Sequence, residues 1–216
     1  MSDLPGKMTW KPGTVLHPLP VVLVGCGRIG ADANLITLAW TGIVCSEPPM
    51  LSISVRPERH SHALIRKYEV FSVNLPSASQ AAVVDWCGVK SGREVDKFSQ
   101  TGLTPLAGPQ TGAPLVAECP VCLECRVKDC RSLGSHDLFL AEIVAVYADE
   151  ALLDARTKAF SLVRSAPLCY AHGSYYELGR YLGFFGFSVQ KKKPGGKTPA
   201  AQRAAPRRVS GRYTRP

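Results

Sequence analysis

The 216-residue sequence predicts a mainly β protein, a β-barrel with helical decorations. Three observations favour this class. Several short segments are rich in Val, Ile and Thr, the residues that pack well in strands. Few segments have the pattern of helices, and the connections between segments are short. With 45% hydrophobic and 20% charged residues, the chain has an ordinary globular composition and can bury a sizeable core.

The first half of the chain carries four predicted strands and two predicted helices. An arm over residues 1–17 has turns at its prolines. The predicted strands are Pro20–Cys26, Asn34–Cys45, Leu51–Val55 and Val70–Leu75. The predicted helices are Pro57–Tyr68 and Ser77–Cys87, and Ser77 is of a residue type that caps helix N-termini.

The second half contains a long antiparallel pair. Residues 91–108 are loop-like, whereas Val121–Arg131 and Leu138–Ala148 alternate apolar and polar residues and are joined through a turn at 134–136. The segment 167–189 is rich in aromatic residues and Gly, which suits lids and surface docking. We predict one domain over residues 18–189.

Residues 25–30 match the pattern GxGxxG after a strand, and Glu47 follows about 20 residues on, as in a dinucleotide-binding fold. That fold needs a helix after Ile29 and an acid at the end of the next strand. The segment 34–45 instead has β-forming residues, and Glu47 precedes the strand at 51–55. A hairpin turn is therefore favoured, with a Rossmann-type dehydrogenase as a distant alternative.

The net charge of +9 is concentrated at the C-terminus. Nine of the 26 basic residues and none of the 17 acidic ones lie in residues 191–216, so the rest of the chain is neutral. We predict that residues 190–216 form a disordered tail, because they have few apolar residues to bury. The alternative is a weak electrostatic contact with nucleic acid or another polyanion.

The sequence shows no secretory signal and no apolar run of about 18 residues. We therefore expect a cytoplasmic protein without a membrane partner, and its eight cysteines are expected to be reduced. Cys119, Cys122, Cys125 and Cys130 have a spacing seen in metal sites. A straight strand would nevertheless hold Cys119 and Cys125 about 20 Å apart. We expect free thiols and no metal, with Cys122 and Cys130 on the more polar face and open to oxidation.

Several motifs together resemble the flavin reductase-like family, especially its flavoredoxin branch. In order they are PLPVVLVG, NLITLAW, EPPMLSISVRPERHSHALI, SGREVDKF and GSHDLFLAEIVAVYADE, within residues 18–189. The resemblance implies an FMN-binding split β-barrel that works as a homodimer with flavin near the subunit interface. It also implies an oxidoreductase that accepts electrons, from NAD(P)H or a protein donor, and passes them to an acceptor.

The resemblance also implies the FMN contacts. The stretch 34–40 is expected along the flavin ring, and the start of the helix after Arg56 is expected at the phosphate. A helix start supplies N–H donors and a favourable dipole for an anion, and Arg supplies bidentate pairing. The predicted contacts are Asn34, Leu35, Ile36, Thr37, Ala39, Trp40, Ser52, Ser54, Val55, Arg56, His60, Ser61 and Lys97. Lys97 is expected at the edge of the ring, where a cation stabilises reduced flavin.

His136 resembles the family's Gly-x-His histidine and is expected on the nicotinamide side, with an ordinary turn histidine as the alternative. No other catalytic residue is predicted, because hydride transfer to flavin depends on geometry more than on proton chemistry. Two functional variants stay open, a carrier that holds FMN tightly and a reductase that releases reduced flavin. A non-enzymatic binding module that contacts a polyanion through the tail is the alternative from another class.

Overall fold

The computed structural model describes residues 4–189, so the basic tail predicted over 190–216 lies outside the described residues. The described chain falls into two units, one ending at Gly179 and one beginning at Arg180. Residues 4–18 contain a turn near Pro5 and otherwise no helix or strand. None of the helices within 4–189 is long and apolar enough to cross a bilayer.

Strands dominate the described chain, as the sequence predicted. They are β1 Leu19–Pro20, β2 Val22–Cys26, β3 Asn34–Leu38, β4 Thr41–Ser46, β5 Pro49–Val55, β6 Val70–Leu75, β7 Pro105–Ala107, β8 Pro114–Val116, β9 Val121–Ser132, β10 Asp137–Ala148, β11 Leu168–Ala171 and β12 Ser174–Glu177. The α-helices are α1 His60–Tyr68, α2 Ala81–Val89 and α3 Lys97–Thr101, with short 3-10 turns at 78–80, 150–152, 162–165 and 187–189.

A seven-stranded antiparallel sheet forms the body of the molecule, in the order β3-β2-β6-β9-β10-β5-β4. Its two edge strands, β3 and β4, are consecutive in the chain and are separated only by Ala39 and Trp40. The sheet must therefore curl until these edges approach each other, which gives a barrel. Two small sheets, β1-β11-β12 and β7-β8, accompany it.

The barrel sheet is buried on both faces along β2. Val22, Val24 and Cys26 point to one core with Phe71 and Phe139. The opposite face of the same sheet carries Val21, Leu23 and Leu35, which pack against Val84 and Phe98 of the helices. Two cores therefore sandwich β2, and this explains its unbroken apolar sequence.

The prediction of one continuous strand over Asn34–Cys45 is wrong. The chain breaks at Ala39 and Trp40 between β3 and β4. These strands lie at opposite edges of the sheet, so the chain has to turn between them, and apolar periodicity carries no signal for that corner. The segment 91–108, predicted as a loop, also contains α3 and β7.

The GxGxxG segment is a hairpin turn, as favoured from the sequence. The register pairs Cys26 with Asn34 in antiparallel strands, so no helix follows the glycines. Gly27 has φ +84°, and a Cβ there would lie 2.2 Å from the Asp32 carbonyl oxygen. The Arg28 N–H donates to Asp32 Oδ1 at 2.9 Å, which closes the turn. Glycine is needed here for backbone geometry, and the dinucleotide-binding alternative does not apply.

Three of the four clustered cysteines, at 122, 125 and 130, lie in β9, as predicted, but the burial of the strand differs from the prediction. Cys122, expected on the more polar face, is buried and donates to the Val116 carbonyl oxygen at 3.4 Å, because β8 and its flanking loop cover that face. Burial raises the pKa of Cys122 to about 11 and that of Cys125 to about 12. Within residues 4–189, no three His, Cys, Asp or Glu side chains are grouped as metal ligands.

Candidate functional site

A cavity of about 180 Å³ opens where three elements meet: the start of β3, the first turn of α1 and the loop after α2. Its lining is largely polar and basic. The lining residues are Asn34, Ile36, Glu58, Arg59, His60, Ser61, Gly88, Lys90, Ser91, Gly92, Arg93 and Lys97. The one acidic side chain among them, Glu58, is paired with Arg56 at 3.3 Å, so the cavity favours an anion.

The N-terminus of α1 faces this cavity without a cap. Arg59 is the N-cap residue, and its side chain makes no capping hydrogen bond. The first turn contains no acidic residue. The backbone N–H groups of His60 and Ser61 have no acceptor within the helix, because they belong to its first turn. Those N–H groups and the positive end of the helix dipole are therefore available to a negatively charged group.

Asn34 and Ser61 connect β3 to α1 at the base of the cavity. The Asn34 side-chain amide donates to Ser61 Oγ at 2.8 Å, and both residues are buried. Asn34 is the first residue of β3, where the turn after Gly27 returns the chain to the sheet. The sequence placed Asn34 at the flavin ring and Ser61 at the phosphate; the structure brings them into direct contact.

The loop at 90–93 closes one side of the cavity against these residues. A Cβ on Gly92 would lie 2.1 Å from Asn34 Oδ1 and 2.9 Å from His60 Cδ2, so only glycine fits without displacement. Arg93 Nη1 donates to the Glu58 carbonyl oxygen at 2.9 Å, which joins the loop to the segment before α1. Burial lowers the pKa of His60, and the nearby charge of Arg93 lowers it further.

Lys97 is buried at the edge of the cavity. Asp96 caps α3 by accepting from the Ser99 N–H at 3.1 Å, which sets Lys97 as the first helical residue. Its Nζ donates to the Leu35 carbonyl oxygen at 2.7 Å and to the Cys87 carbonyl oxygen at 2.6 Å. Burial lowers the pKa of Lys97. The ammonium group thus holds β3 against the end of α2 and has one further N–H to offer.

A second zone lies at the ends of β4, β5 and β10. The Trp40 and His136 rings are 4.6 Å apart between centroids and tilted by 42°. The register of β5 with β10 pairs Val55 with Asp137, so Arg56 comes level with His136. We call Trp40 and His136 the aromatic platform. Burial lowers the pKa of His136, and the charge of Arg56 is its next largest influence.

The platform and the cavity are held together by α1. His62 Nε2 and Asp137 Oδ2 are 2.8 Å apart, so the first turns of α1 are tied to the strand that begins beside His136. Arg59 lines the cavity, and its positive charge also helps to lower the pKa of His136. The two zones are therefore neighbours on one side of the molecule.

The predicted site residues divide into three groups. Those in the cavity are Asn34, Ile36, His60, Ser61 and Lys97. Those at or beside the platform are Ala39, Trp40, Arg56 and His136. The others are Leu35, Thr37, Ser52, Ser54 and Val55, whose side chains lie outside the cavity lining. Thr37 Oγ1 donates to the Val84 carbonyl oxygen at 2.5 Å, whereas Leu35 and Val55 pack into the two cores.

The loop after α2 is the part of the site that the residue predictions missed. Lys90, Ser91, Gly92 and Arg93 line the cavity but lie more than 50 residues from Asn34 in the sequence. A signal was present in SGREVDKF, where glycine sits between a hydroxyl residue and Arg shortly before Lys97. Glycine at such a position indicates close approach of another chain segment.

Comparisons with known proteins agree with this architecture. The family model described as "Flavin reductase like domain" matches residues 14–179. The structure is similar to the flavoredoxin of Desulfovibrio vulgaris (Miyazaki F), with a TM-score of 0.79 and 29% identity over 85% of this chain and 100% of that one. It is also similar to the flavoredoxin of Methanosarcina acetivorans, with a TM-score of 0.77 and 30% identity over 85% of this chain and 99% of that one.

A curated relative carries a named activity. The FMN reductase (NADH) RutF of Bradyrhizobium diazoefficiens is 28% identical over 120 residues, which are 56% of this chain and 62% of that protein. The likeness to the flavoredoxins confirms the predicted split β-barrel. The chain therefore belongs to the flavin reductase like domain family, in its flavoredoxin branch.

Proposed function

We propose that this protein is an FMN-binding oxidoreductase that takes electrons from a donor and passes them to an acceptor. The observation that carries the proposal is the uncapped, acid-free start of α1, which opens into a basic cavity beside an aromatic platform. Relatives named flavoredoxin and FMN reductase (NADH) support the same function.

The residues present fit the phosphate end of FMN. A phosphate dianion needs several donors, and the cavity offers the amides of His60 and Ser61 together with the side chains of Arg59 and Arg93. The cavity measures about 180 Å³, less than the ~300 Å³ of pockets that enclose a drug-sized molecule. We therefore propose that it takes the phosphate end only, and that the flavin ring lies in the more open part of the site near Trp40.

The bound cofactor would supply the redox chemistry, because FMN can accept a hydride or single electrons. The chain's own residues would bind and orient it. Asn34 and Lys97 fix the start of β3 against α1 and α2, and this keeps the backbone along the proposed ring site in place. Lys97 adds a positive charge at the cavity edge, where it would favour an anionic form of the ligand.

The donor and the assembly are part of the proposal. We propose NAD(P)H as the donor, supported by the NADH named for the RutF relative, and His136 on the nicotinamide side of the platform. We also propose that the protein is a homodimer, which the family resemblance supports, and that it acts in the cytoplasm. Both functional variants, tight carrier and flavin-releasing reductase, are compatible with this site.

The test separates the phosphate from the ring by comparing FMN with riboflavin, which lacks the phosphate. We expect the protein to retain a flavin spectrum after desalting with FMN, and to bind FMN at least about tenfold more tightly than riboflavin. Arg59→Gln and Arg93→Gln should each weaken FMN binding about tenfold, measured by quenching of flavin fluorescence, and leave riboflavin binding unchanged.

Arg66→Gln is the matched control, because Arg66 is an exposed arginine in the last turn of the same helix. Equal affinity for FMN and riboflavin would contradict the phosphate assignment. Failure of the protein to bind any flavin would contradict the proposed function itself.

A further inference from the structure

Arg56 stands apart from the cavity that is proposed to hold the FMN phosphate. It follows the last residue of β5, and the strand register brings it level with His136 at the end of β10. It is absent from the residues that line the cavity, and its side chain is 50% exposed. Arg56 is therefore a half-exposed cation at the His136 end of the aromatic platform, outside the cavity lining.

Arg56 forms an exposed ion pair with Glu58, and another anion can replace the Glu58 carboxylate in this pair. Its Nη1 lies 3.3 Å from Glu58 Oε1, and the Glu58 side chain is 63% exposed. An exposed ion pair between residues two positions apart contributes little stability and is screened by salt. An arriving anion with two oxygens available can replace the Glu58 carboxylate, because a guanidinium pairs bidentately with phosphate.

The surroundings suit the outer part of a dinucleotide. Trp40 is 41% exposed, and its ring lies 4.6 Å from the ring of His136, the residue that the strand register brings level with Arg56. Arg59 lines the cavity, and its charge also acts on His136, so a second cation lies near the platform. A dinucleotide carries a planar ring and an anionic phosphate joined by a short linker. The ring can stack on the aromatic platform while the phosphate pairs with the cation.

We propose that Arg56 is a specificity-determining contact for the electron donor, pairing with a phosphate of a nicotinamide dinucleotide at the aromatic platform, and that Glu58 is the counter-ion it leaves. This inference rests on the proposed function, since the dinucleotide is useful only beside bound flavin. Two phosphate sources have the same chemistry: the pyrophosphate, present in NADH and NADPH, and the 2′-phosphate, present in NADPH alone.

The test uses FMN-loaded protein and measures binding of NAD⁺ and NADP⁺ by calorimetry, with KM for NADH and NADPH as a second readout. Arg56→Gln should weaken dinucleotide binding about tenfold and leave the affinity for FMN unchanged. Weakening of both dinucleotides assigns the contact to the pyrophosphate, and weakening of NADP⁺ alone assigns it to the 2′-phosphate. Glu58→Gln should tighten dinucleotide binding, because it removes the competing carboxylate.

Arg164→Gln is the control, since Arg164 forms a comparable exposed pair with Asp154 at 3.3 Å and should change neither affinity. Unchanged dinucleotide binding in Arg56→Gln would overturn the inference. So would a loss of FMN affinity, which would make Arg56 a cofactor ligand instead. Wild-type protein that holds FMN but binds neither dinucleotide would overturn this inference and leave the FMN site standing. Wild-type protein that fails to hold FMN would overturn both.

Discussion

Single residues set the shape of the cavity, and at position 92 there is no room for any side chain larger than that of glycine. The hydrogen of Gly92 faces the Asn34 amide and the His60 ring, which come from two other elements of the site. A methyl group there requires Asn34 and His60 to move. Asn34 is in turn hydrogen-bonded to Ser61, so a shift at one residue reaches the start of α1.

We predict that Gly92→Ala weakens FMN binding about tenfold while the melting temperature changes little, because the loop is at the surface and the displaced residues line the site. Gly42→Ala is the matched control, since a Cβ at Gly42 meets no atom within 4 Å. Flavin fluorescence titration and thermal melts of both variants test this. Unaltered FMN affinity in Gly92→Ala would contradict the prediction, because it would mean that the loop moves aside and leaves Asn34 and His60 in place.

At the scale of elements, a buried carboxylate anchors the connection between β7 and β8 to the barrel. Glu124 of β9 is fully buried and accepts from the Thr111 N–H and Oγ1, each at 2.6 Å, and from the Tyr147 hydroxyl at 2.7 Å. Burial alone would raise the pKa of Glu124, but the hydrogen bonds from Thr111, Tyr147 and the Gln110 amide outweigh it and lower the pKa. The charged form is therefore the stable one in the fold.

The lowered pKa of Glu124 fixes the sign of a pH effect. A carboxyl group whose folded pKa is below its unfolded value contributes stability above the unfolded pKa, and loses it as the pH falls through the folded pKa. We predict that Glu124→Gln costs about 2 kcal/mol of unfolding free energy near neutral pH. The wild type should lose this advantage below about pH 4.5, the ordinary value for Glu.

Urea unfolding at several pH values tests the Glu124 prediction, with Glu142→Gln as control because Glu142 is a half-exposed carboxylate paired with Lys128. A stability difference between wild type and Glu124→Gln that stays constant down to pH 3 would contradict the assigned pKa direction.

On the scale of the whole molecule, the family match and the candidate site both lie before residue 180. The match covers residues 14–179, whereas the cationic segment occupies residues 191–216. The site is built from β3, α1, α3, the loop after α2 and the ends of β4, β5 and β10. The candidate site therefore draws on residues of the first unit, which ends at Gly179.

We predict that removal of residues 190–216 leaves FMN affinity within about twofold of the full chain, because no cavity-lining or platform residue is lost. Fluorescence titration of the two proteins measures this. The same pair tests the alternative role of the tail. Salt-sensitive retention on a polyanion column that disappears with the tail would support a polyanion contact, and equal retention of both proteins would count against it.

Local patterns in the sequence were sufficient for the mainly β class, the long pair β9 and β10, and the amphipathic α1, because alternation and helical periodicity are properties of neighbouring residues. The motifs were sufficient for the family, and they pointed to Asn34, His60 and Ser61, which line the candidate cavity. The corner at Trp40, the burial of Cys122 and the part played by Gly92 and Arg93 depended on the tertiary structure. Each of these follows from the approach of segments far apart in the chain: the meeting of the sheet edges, the covering of β9 by β8, and the closing of the loop after α2 over α1. Because such contacts are set by the closure of the barrel, no single stretch of sequence contains them.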